Sequence, residues 1–317
     1  MRSATAIAPA SVAVAAAGVI AFAFALAGCG LGAGRTPSAV ELTVTRDFGA
    51  RLLPHSGALK ARGAETVMSL LMRNYSVGTR FGGGFVQSID GLSGGQQAGR
   101  PVDWFYYDNG VEAAKGAAAT NVHAGDAIWW DFHDWSQTEE VPAVVGSYPQ
   151  PFLSGIAGKR LPVRIECADV AGAACKTVAS RLLGLGVPAA IAGLGVTGGP
   201  LTLRVLVGPW ARIRGAPGAG SVEAGPRESG VYARFSPDGR TLTPLDQNGR
   251  ALAPLSAGSG LIAATRHAED APVWLVTGTD ARGVELAARG LVGAALRDRF
   301  AVALRPGSVM ALPEVGG

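Results

Sequence analysis

Apolar and polar residues alternate in several short segments of the first half of the chain. In residues 41–46, Leu42 and Val44 fall on one side of an extended backbone. A period of two residues is typical of a β-strand with one buried face. Three further segments are rich in β-branched and aromatic residues and predict strands: 85–90, 103–108 and 127–132.

A short helix is predicted between the first two strands. The apolar residues of segment 66–75 recur at helical spacing, at Met68, Leu71, Met72 and Tyr75. Thr66 is a candidate N-cap, and Asn109-Gly110 is typical of a tight turn. One helix packed across a small mixed sheet is the β-grasp pattern, so this half predicts an α+β fold.

The second half of the chain has a different pattern. Residues 136–160 contain three prolines and predict a linker draped over the surface. Two strand–helix–strand units follow, in 161–207 and 272–304, with Asp280 as an N-cap candidate. This order favours an α/β layer arrangement. The helical residues predicted to face inward are Val178, Leu182 and Leu183 in the first unit and Val284, Ala287, Ala288, Leu291 and Ala295 in the second.

The N-terminus indicates export. Residues 6–27 are nearly all apolar and end in Leu26-Ala27-Gly28-Cys29, the pattern of a bacterial lipobox. Because a Gly-rich stretch follows directly, we expect cleavage before Cys29 and attachment of diacylglycerol, with palmitate-like chains, to its thiol. The alternative is an uncleaved transmembrane helix, since the run is long enough to span a bilayer.

The predicted organisation follows from these boundaries. In chain order it comprises a lipoprotein signal peptide (1–28), a tether (29–40), a β-grasp-like domain (41–135), the linker (136–160) and a C-terminal α/β domain (161–310). The predicted location is the outer face of the bacterial cytoplasmic membrane.

Two cysteines remain after the lipobox. Cys167 and Cys175 enclose seven residues and are not in a CxxC spacing. In an oxidising compartment we expect a local disulfide between a strand end and a helix start. Two unrelated buried thiols are the alternative.

Charge and histidine spacing narrow the function. The formal charge is +4, and removing the segment before Cys29, which carries only Arg2, leaves 27 − 24 = +3. This small excess does not favour nucleic acid as a partner. The four histidines show no HxxxH or HExxH spacing, so no metal site and no metalloenzyme are predicted. We therefore expect a protein that is not an enzyme.

Aromatic residues are concentrated between positions 104 and 135. Trp104 and Tyr106 fall on one face of their strand, and Phe105 and Tyr107 on the other. Because one helix covers only one face, the second must be exposed, be covered by another part of the protein, or form a platform for a ligand. The candidate ligand or partner surface comprises Trp104, Tyr106, Asp108, Asn109, Trp129, Asp131 and His133.

Asp131 and His133 fall on one face of the last strand of this half. They are either the polar face of that strand or an acid–base or metal-binding pair. A hydrolase that acts on the cell wall would need such a pair inside a pocket.

Four segments carry a resemblance to a known family: TVMSLL (66–71), GGGFVQSIDG (82–91), DWFYYDNG (103–110) and GDAIWWDFHDW (125–135). They resemble the transcobalamin C-terminal-like domain of unknown function, and the chain as a whole resembles actinobacterial lipoproteins that carry it. The resemblance implies a β-grasp fold, an exported setting and a cobalamin-like ligand.

The function expected is that of a non-catalytic, lipid-anchored envelope protein that binds a ligand or assists a membrane transporter. The alternative is a structural envelope lipoprotein that binds a partner protein and no small ligand.

Overall fold

The computed structural model describes residues 39–196 and 199–316. The predicted signal peptide, Cys29 and most of the tether lie outside the described residues. The first strand begins at Ala39, so the last two residues assigned to the tether belong to the sheet.

The first half of the described chain is built on a mixed sheet and a smaller antiparallel one. The strands of the mixed sheet are β1 (Ala39–Arg46), β2 (Arg51–Leu52), β3 (Gly57–Lys60), β7 (Gly95–Gln97), β8 (Arg100–Asp108), β9 (Val111–Glu112) and β10 (Ala127–Asp134). The smaller sheet contains β4 (Val77–Arg80), β5 (Phe85–Ile89) and β6 (Leu92–Ser93). Two 3-10 helices accompany them, Phe81–Gly83 and Ala117–Ala119.

The first and last long strands of this half are central neighbours. β1 runs parallel to β10, with Leu42 opposite Ile128, and β10 runs antiparallel to β8, with Trp130 opposite Tyr106. A mixed α+β fold is therefore confirmed, whereas the specific β-grasp arrangement stays a prediction.

One helix, α1 (Val67–Met72), packs on the mixed sheet. Thr66 is its N-cap as predicted, and its side chain forms a capping box with Ser69. The helix is shorter than the predicted 66–75, and Met72 is exposed whereas Leu70 is buried. Arg73 is the C-cap of the helix, and the next residue, Asn74, donates its backbone N–H to the Leu71 carbonyl in a turn that ends the helical hydrogen bonding.

The second half is built on a seven-stranded sheet in the order β12-β11-β13-β17-β16-β18-β19. Its strands are β11 (Val163–Cys167), β12 (Ala189–Gly193), β13 (Leu203–Pro209), β16 (Gly260–Thr265), β17 (Val273–Gly278), β18 (Ala301–Arg305) and β19 (Ser308–Leu312). β14 (Ala233–Phe235) and β15 (Leu242–Pro244) form a separate hairpin. The helices are α2 (Ala173–Gly184), α3 (Trp210–Ile213), α4 (Pro226–Ser229), α5 (Ala281–Gly290) and α6 (Gly293–Leu296), with a 3-10 helix at Gly220–Ala224.

Both predicted strand–helix–strand units are present in this half, with two differences. β12 lies between α2 and β13, and the second predicted helical stripe is divided between α5 and α6. Asp280 caps α5 by accepting a hydrogen bond from Gly283 N–H at 2.9 Å. In α2, Val178 and Leu182 are buried, but Leu183 is 70% exposed, so its predicted inward position was wrong. The buried face of α2 passes through Cys175, Val178 and Leu182, and Leu183 is about 100° away from Leu182 around the helix.

The segment 136–160 does not lie on the surface as a linker. Val141, Val144 and Val145 are almost fully buried, and Val111 forms a β-bridge with Ala143. The surface position was predicted from the prolines, but the apolar run between them packs between the two large sheets. The described residues therefore cluster as one compact unit.

Among the residues that the structure describes, no helix is both long and apolar enough to cross a bilayer.

Candidate functional site

Both faces of the aromatic strands β8 and β10 are covered. Trp104, Tyr106 and Trp130 pack in the core under α1 and the small antiparallel sheet. Tyr107 and Trp129 pack in a second core, which contains Val144 of the 136–160 segment and Phe300 of the second half. Of the three alternatives for the second aromatic face, the one in which other parts of the protein cover it is therefore correct.

The predicted ligand or partner surface is not exposed. All seven of its residues are less than 9% exposed: Trp104, Tyr106, Asp108, Asn109, Trp129, Asp131 and His133. The causes differ between the two faces: α1 and the small antiparallel sheet bury Trp104 and Tyr106, whereas the second half of the chain helps to bury Trp129.

Asn109 holds the turn after β8. With φ of 54° at Asn109 and 80° at Gly110, both residues adopt the left-handed conformation of a tight hairpin turn. The Asn109 side chain donates to Asp126 Oδ1 at 2.8 Å and accepts from Ala127 N–H at 2.9 Å. Its role is thus to join β8 to the start of β10.

Asp108 is a buried carboxyl group in the same turn. It is 7% exposed, and its Oδ1 has no hydrogen-bond partner among the described residues. Burial, followed by the negative charge of Asp126, raises the pKa of Asp108 to about 7. Asp108 therefore exchanges a proton near neutral pH.

Asp131 and His133 are brought together by β10. Asp131 Oδ2 lies 2.8 Å from His133 Nδ1, and both side chains are buried. Asp131 also accepts from the backbone N–H groups of Phe48 and Gly49, at 3.1 and 2.9 Å, and from the Thr45 hydroxyl. A carboxylate with this many donors is fixed in place and fully hydrogen bonded.

The ring of His133 is enclosed by aromatic side chains. Phe48 and Phe105 stack on it with centroid distances of 4.5 Å each, and Phe300 approaches edge-on at 5.4 Å. Neither His133 nor Asp131 is among the lining residues of the five clefts identified in the described chain. The hydrogen bond that a wall hydrolase requires is present, but the pocket that it also requires does not surround the pair.

A serine motif near β6 has the spacing of a nucleophile elbow. Gly91-Leu92-Ser93-Gly94-Gly95 matches Gly-x-Ser-x-Gly, a pattern that in hydrolases places serine on a sharp strand-to-helix turn. Here Ser93 ends a two-residue strand antiparallel to β5, and β7 follows it. The backbone context of a nucleophile elbow is therefore missing from this segment.

The predicted disulfide is present. Cys167 ends β11 and Cys175 lies in the first turn of α2, with the two sulfurs bonded and the Cα atoms 6.0 Å apart. Among the described residues, no group of three or more His, Cys, Asp or Glu side chains could hold a metal ion.

A groove on the first half is formed next to the buried aromatic residues. We call it the aromatic groove; it has a volume of about 260 Å³ and is lined by residues 84–86, 104–106, 112–117 and Trp130. One rim is the start of β5 and the other is the loop after β9. The rims approach each other at Gly116, where an added Cβ would lie 3.2 Å from the Gly84 carbonyl oxygen.

One residue that lines this groove carries a buried polar atom without a partner. Trp130 is 2% exposed, and its Nε1 donor meets no acceptor among the described residues. A buried donor left in this state costs roughly 1–3 kcal/mol. Trp130 Nε1 is one of five buried side-chain atoms without a partner in the described chain, and it is the one that belongs to a residue lining this groove.

A second, larger cleft lies where the two halves meet. We call it the seam cleft; its volume is about 480 Å³, and Glu112, Glu140, Arg227 and His267 are among the residues that line it. The Glu112 carboxylate accepts from Val141 N–H at 2.8 Å. Burial is the main cause that raises the pKa of Glu112 to about 7, and the charge of Glu140 adds to it.

Similarity to a known protein family is found in one part of the first half of the chain. Residues 64–134 match the family described as Domain of unknown function (DUF4430). This DUF4430 region extends from α1 to β10 and contains the aromatic groove and all seven residues of the predicted surface. It also covers nearly all of the segments that resemble the transcobalamin-like domain. Among curated proteins, none matches the chain.

Sequence patterns predicted the aromatic strands that line the groove, but they did not predict the loop that forms its second rim. Trp104 and Tyr106 were predicted and do line the groove. Trp130 and the 113–117 rim were missed, because the rim is a loop of alanine, lysine and glycine without a binding motif. The indoles of Trp130 and Trp129 lie in different cores, and Trp129 Nε1 has an acceptor whereas Trp130 Nε1 has none among the described residues.

Proposed function

We propose that this protein is a non-catalytic, lipid-anchored envelope protein that binds a small ligand in the aromatic groove of its DUF4430 region. In this role it presents the ligand to, or receives it from, a membrane transporter or another envelope protein. The observation that carries the binding function is the unpartnered indole N–H of Trp130 at a groove of ligand size.

Two features support the envelope location. The sequence Leu26-Ala27-Gly28-Cys29 offers a thiol for acylation directly after an apolar leader. The Cys167–Cys175 disulfide agrees with folding outside the reducing cytoplasm.

A cobalamin-like ligand is the finer proposal, and it rests on the resemblance to the transcobalamin domain. A groove of about 260 Å³ is smaller than most sites for drug-sized ligands. A whole corrinoid would therefore bind with only one edge or side chain inside the groove, and the remainder would lie outside it.

A partner-binding protein without a small ligand is the second candidate, and one observation favours it. Large apolar side chains are exposed around the edge strand β12, at Leu183, Ile191 and Leu201. An uncharged, exposed edge strand is a site at which another chain can add. Crosslinking in intact cells separates the candidates, because one stoichiometric partner without ligand binding favours this one.

The binding function is tested by a ligand screen on the full chain extracted from membranes. Corrinoids and cell-wall fragments are added, and thermal shift and calorimetry are measured for the wild type and for Gly116→Val. The added side chain crowds the Gly84 carbonyl and narrows the groove. Gly63→Val is the matched control, because nothing lies within 4 Å of an added Cβ there.

We expect at least one compound to bind the wild type and the Gly63→Val control, and to bind Gly116→Val at least tenfold more weakly. If no compound binds at millimolar concentration, or if Gly116→Val binds as the wild type does, the groove is not the ligand site.

A further inference from the structure

The polar groups around the aromatic groove differ in whether they are already satisfied. The Tyr106 hydroxyl donates to the carbonyl of Lys115 and lies 2.8 Å from the Thr120 hydroxyl. Trp104 Nε1 donates to the Leu92 carbonyl at 2.9 Å. Trp130 Nε1 is the group without a partner in this part of the described chain. Since an indole N–H is only a donor, the missing group is an acceptor.

The remaining surface of the groove combines small apolar side chains with polar groups. Its rims carry the small side chains of Ala113, Ala114 and Ala117, and Val86 faces them from β5. Lys115 adds an exposed ammonium group that makes no ion pair with the described carboxylates. Glu112 contributes to the lining, but its carboxylate is hydrogen bonded to Val141 N–H, and it also lines the seam cleft. The groove therefore favours an acceptor on a small apolar group over a cation.

We propose that the aromatic groove binds an N-acyl group, with the acyl carbonyl oxygen accepting a hydrogen bond from Trp130 Nε1. The acyl methyl packs against the alanine side chains of the rim. This inference rests on the proposed function and adds the chemical class of the ligand. An N-acetylated sugar and an N-acetylated amino acid share this chemistry, and either one fits a groove that holds one ring or one short chain.

Binding requires the rim to move. Trp130 Nε1 is buried in the structure, and the loop 113–116, which is neither helix nor strand, lines the same groove as Trp130. The loop is tied down by Ala113 N–H, which donates to the Tyr106 carbonyl, and by the Tyr106 hydroxyl on Lys115.

The test follows the indole ¹H–¹⁵N resonances of the full chain by NMR. The probes are N-acetylglucosamine and N-acetylalanine, and the matched compounds without the acyl group are glucosamine and alanine. Trp129 provides the internal control. It is the neighbour of Trp130 on β10, it points to the opposite face, and its Nε1 already donates to the Thr45 hydroxyl at 2.7 Å.

We expect an N-acyl probe to shift the Trp130 resonance downfield and to leave that of Trp129 in place, while the probes without the acyl group shift neither. A shift with N-acetylglucosamine indicates an N-acetylated sugar as the ligand, and a shift with N-acetylalanine indicates an N-acetylated amino acid. Trp130→Phe keeps a ring but removes the donor, and should weaken binding by roughly 3–10-fold. Trp129→Phe should bind as the wild type does.

Three results would overturn the inference. The first is an equal response to glucosamine or alanine, and the second is undiminished binding by Trp130→Phe. The third is a Trp130 resonance unmoved by every probe, which would indicate an ordered water only at Nε1. In each case the proposed function still stands if the wider screen finds a ligand that Gly116→Val excludes. If Trp130→Phe does not fold, the wild-type resonances alone decide the outcome.

Discussion

Asp131 and His133 lie two residues apart on β10, and their side chains are joined by a hydrogen bond of 2.8 Å at the junction of the two large sheets. His133 stacks between Phe48 and Phe105, while Asp131 receives the backbone N–H groups of the turn at Phe48 and Gly49. The pair therefore fixes the turn after β1 against β10, on the face that the second half covers.

This relationship predicts a large loss of stability in Asp131→Asn. The amide keeps the shape of the carboxylate but loses charge-assisted hydrogen bonds to buried donors, and we expect a loss of about 3 kcal/mol. Urea unfolding followed by circular dichroism measures it. Asp270→Asn is the control, since the Asp270 side chain is exposed and makes no hydrogen bond to the described residues. Equal midpoints for the two variants would contradict a structural role for Asp131.

Asp108 predicts that stability falls as the pH rises. Its pKa is about 7 in the folded protein, against an ordinary value of 3.8, so the folded state holds a proton that the unfolded state has released. The stabilisation is fully present below pH 4 and is lost as the pH rises to about 7; a shift of three pKa units corresponds to about 4 kcal/mol. Urea unfolding at intervals between pH 4 and 8 should show this decline.

In Asp108→Asn, the free energy of unfolding should fall less between pH 4 and 8 than it does in the wild type. Because the pKa of Glu112 is also raised, Glu112 should cause the fall that remains. The double variant Asp108→Asn/Glu112→Gln should therefore show no fall. A wild type whose stability is constant, or rises, between pH 4 and 7 would show that neither carboxyl is held in its protonated form.

Arg204 and Glu166 form a bidentate ion pair in the second half. The guanidinium of Arg204 meets both carboxylate oxygens of buried Glu166, at 2.7 and 2.8 Å. Arg204→Met leaves a buried carboxylate without its partner and should cost about 3–5 kcal/mol, whereas the double variant with Glu166→Gln should recover most of the loss. A double-mutant cycle in urea measures the coupling. Additive effects would show that the two side chains act independently.

Sequence reasoning succeeded where the signal is local. Thr66 and Asp280 were placed as caps because a cap needs only its own first turn, and Cys167 pairs with Cys175 across seven residues. It failed where distant segments decide. The cover over Tyr107 and Trp129 comes from Val144 and Phe300, and no local pattern reports such a contact.

The same limit applies to the candidate site. The alternation in β8 correctly predicted that Trp104 and Tyr106 share a face, but their exposure depends on the small sheet and the 113–117 loop. The missing acceptor at Trp130 Nε1 is a property of the folded structure alone, since Trp129 and Trp130 are adjacent and no local pattern shows which indole lacks a partner.

The disulfide predicts a measurable loss of stability on reduction. Closing a loop of this length stabilises the folded state by about 2–3 kcal/mol through the entropy of the unfolded chain. Unfolding in urea with and without dithiothreitol should differ by this amount, and protein extracted from cells should show no free thiol at Cys167 or Cys175. Two titratable thiols in the folded, unreduced protein would contradict the pairing.

Cys29 tests the central claim, which is that the protein acts outside the cytoplasmic membrane while held to it by lipid. Mass spectrometry of the N-terminal peptide from membrane-extracted protein should find residue 29 at the N-terminus with diacylglycerol on its sulfur. In Cys29→Ala this lipid-modified peptide should be absent, and the protein should no longer be held to the membrane by lipid. A wild-type chain that retains residues 1–28 and a bare thiol at Cys29 would contradict the account.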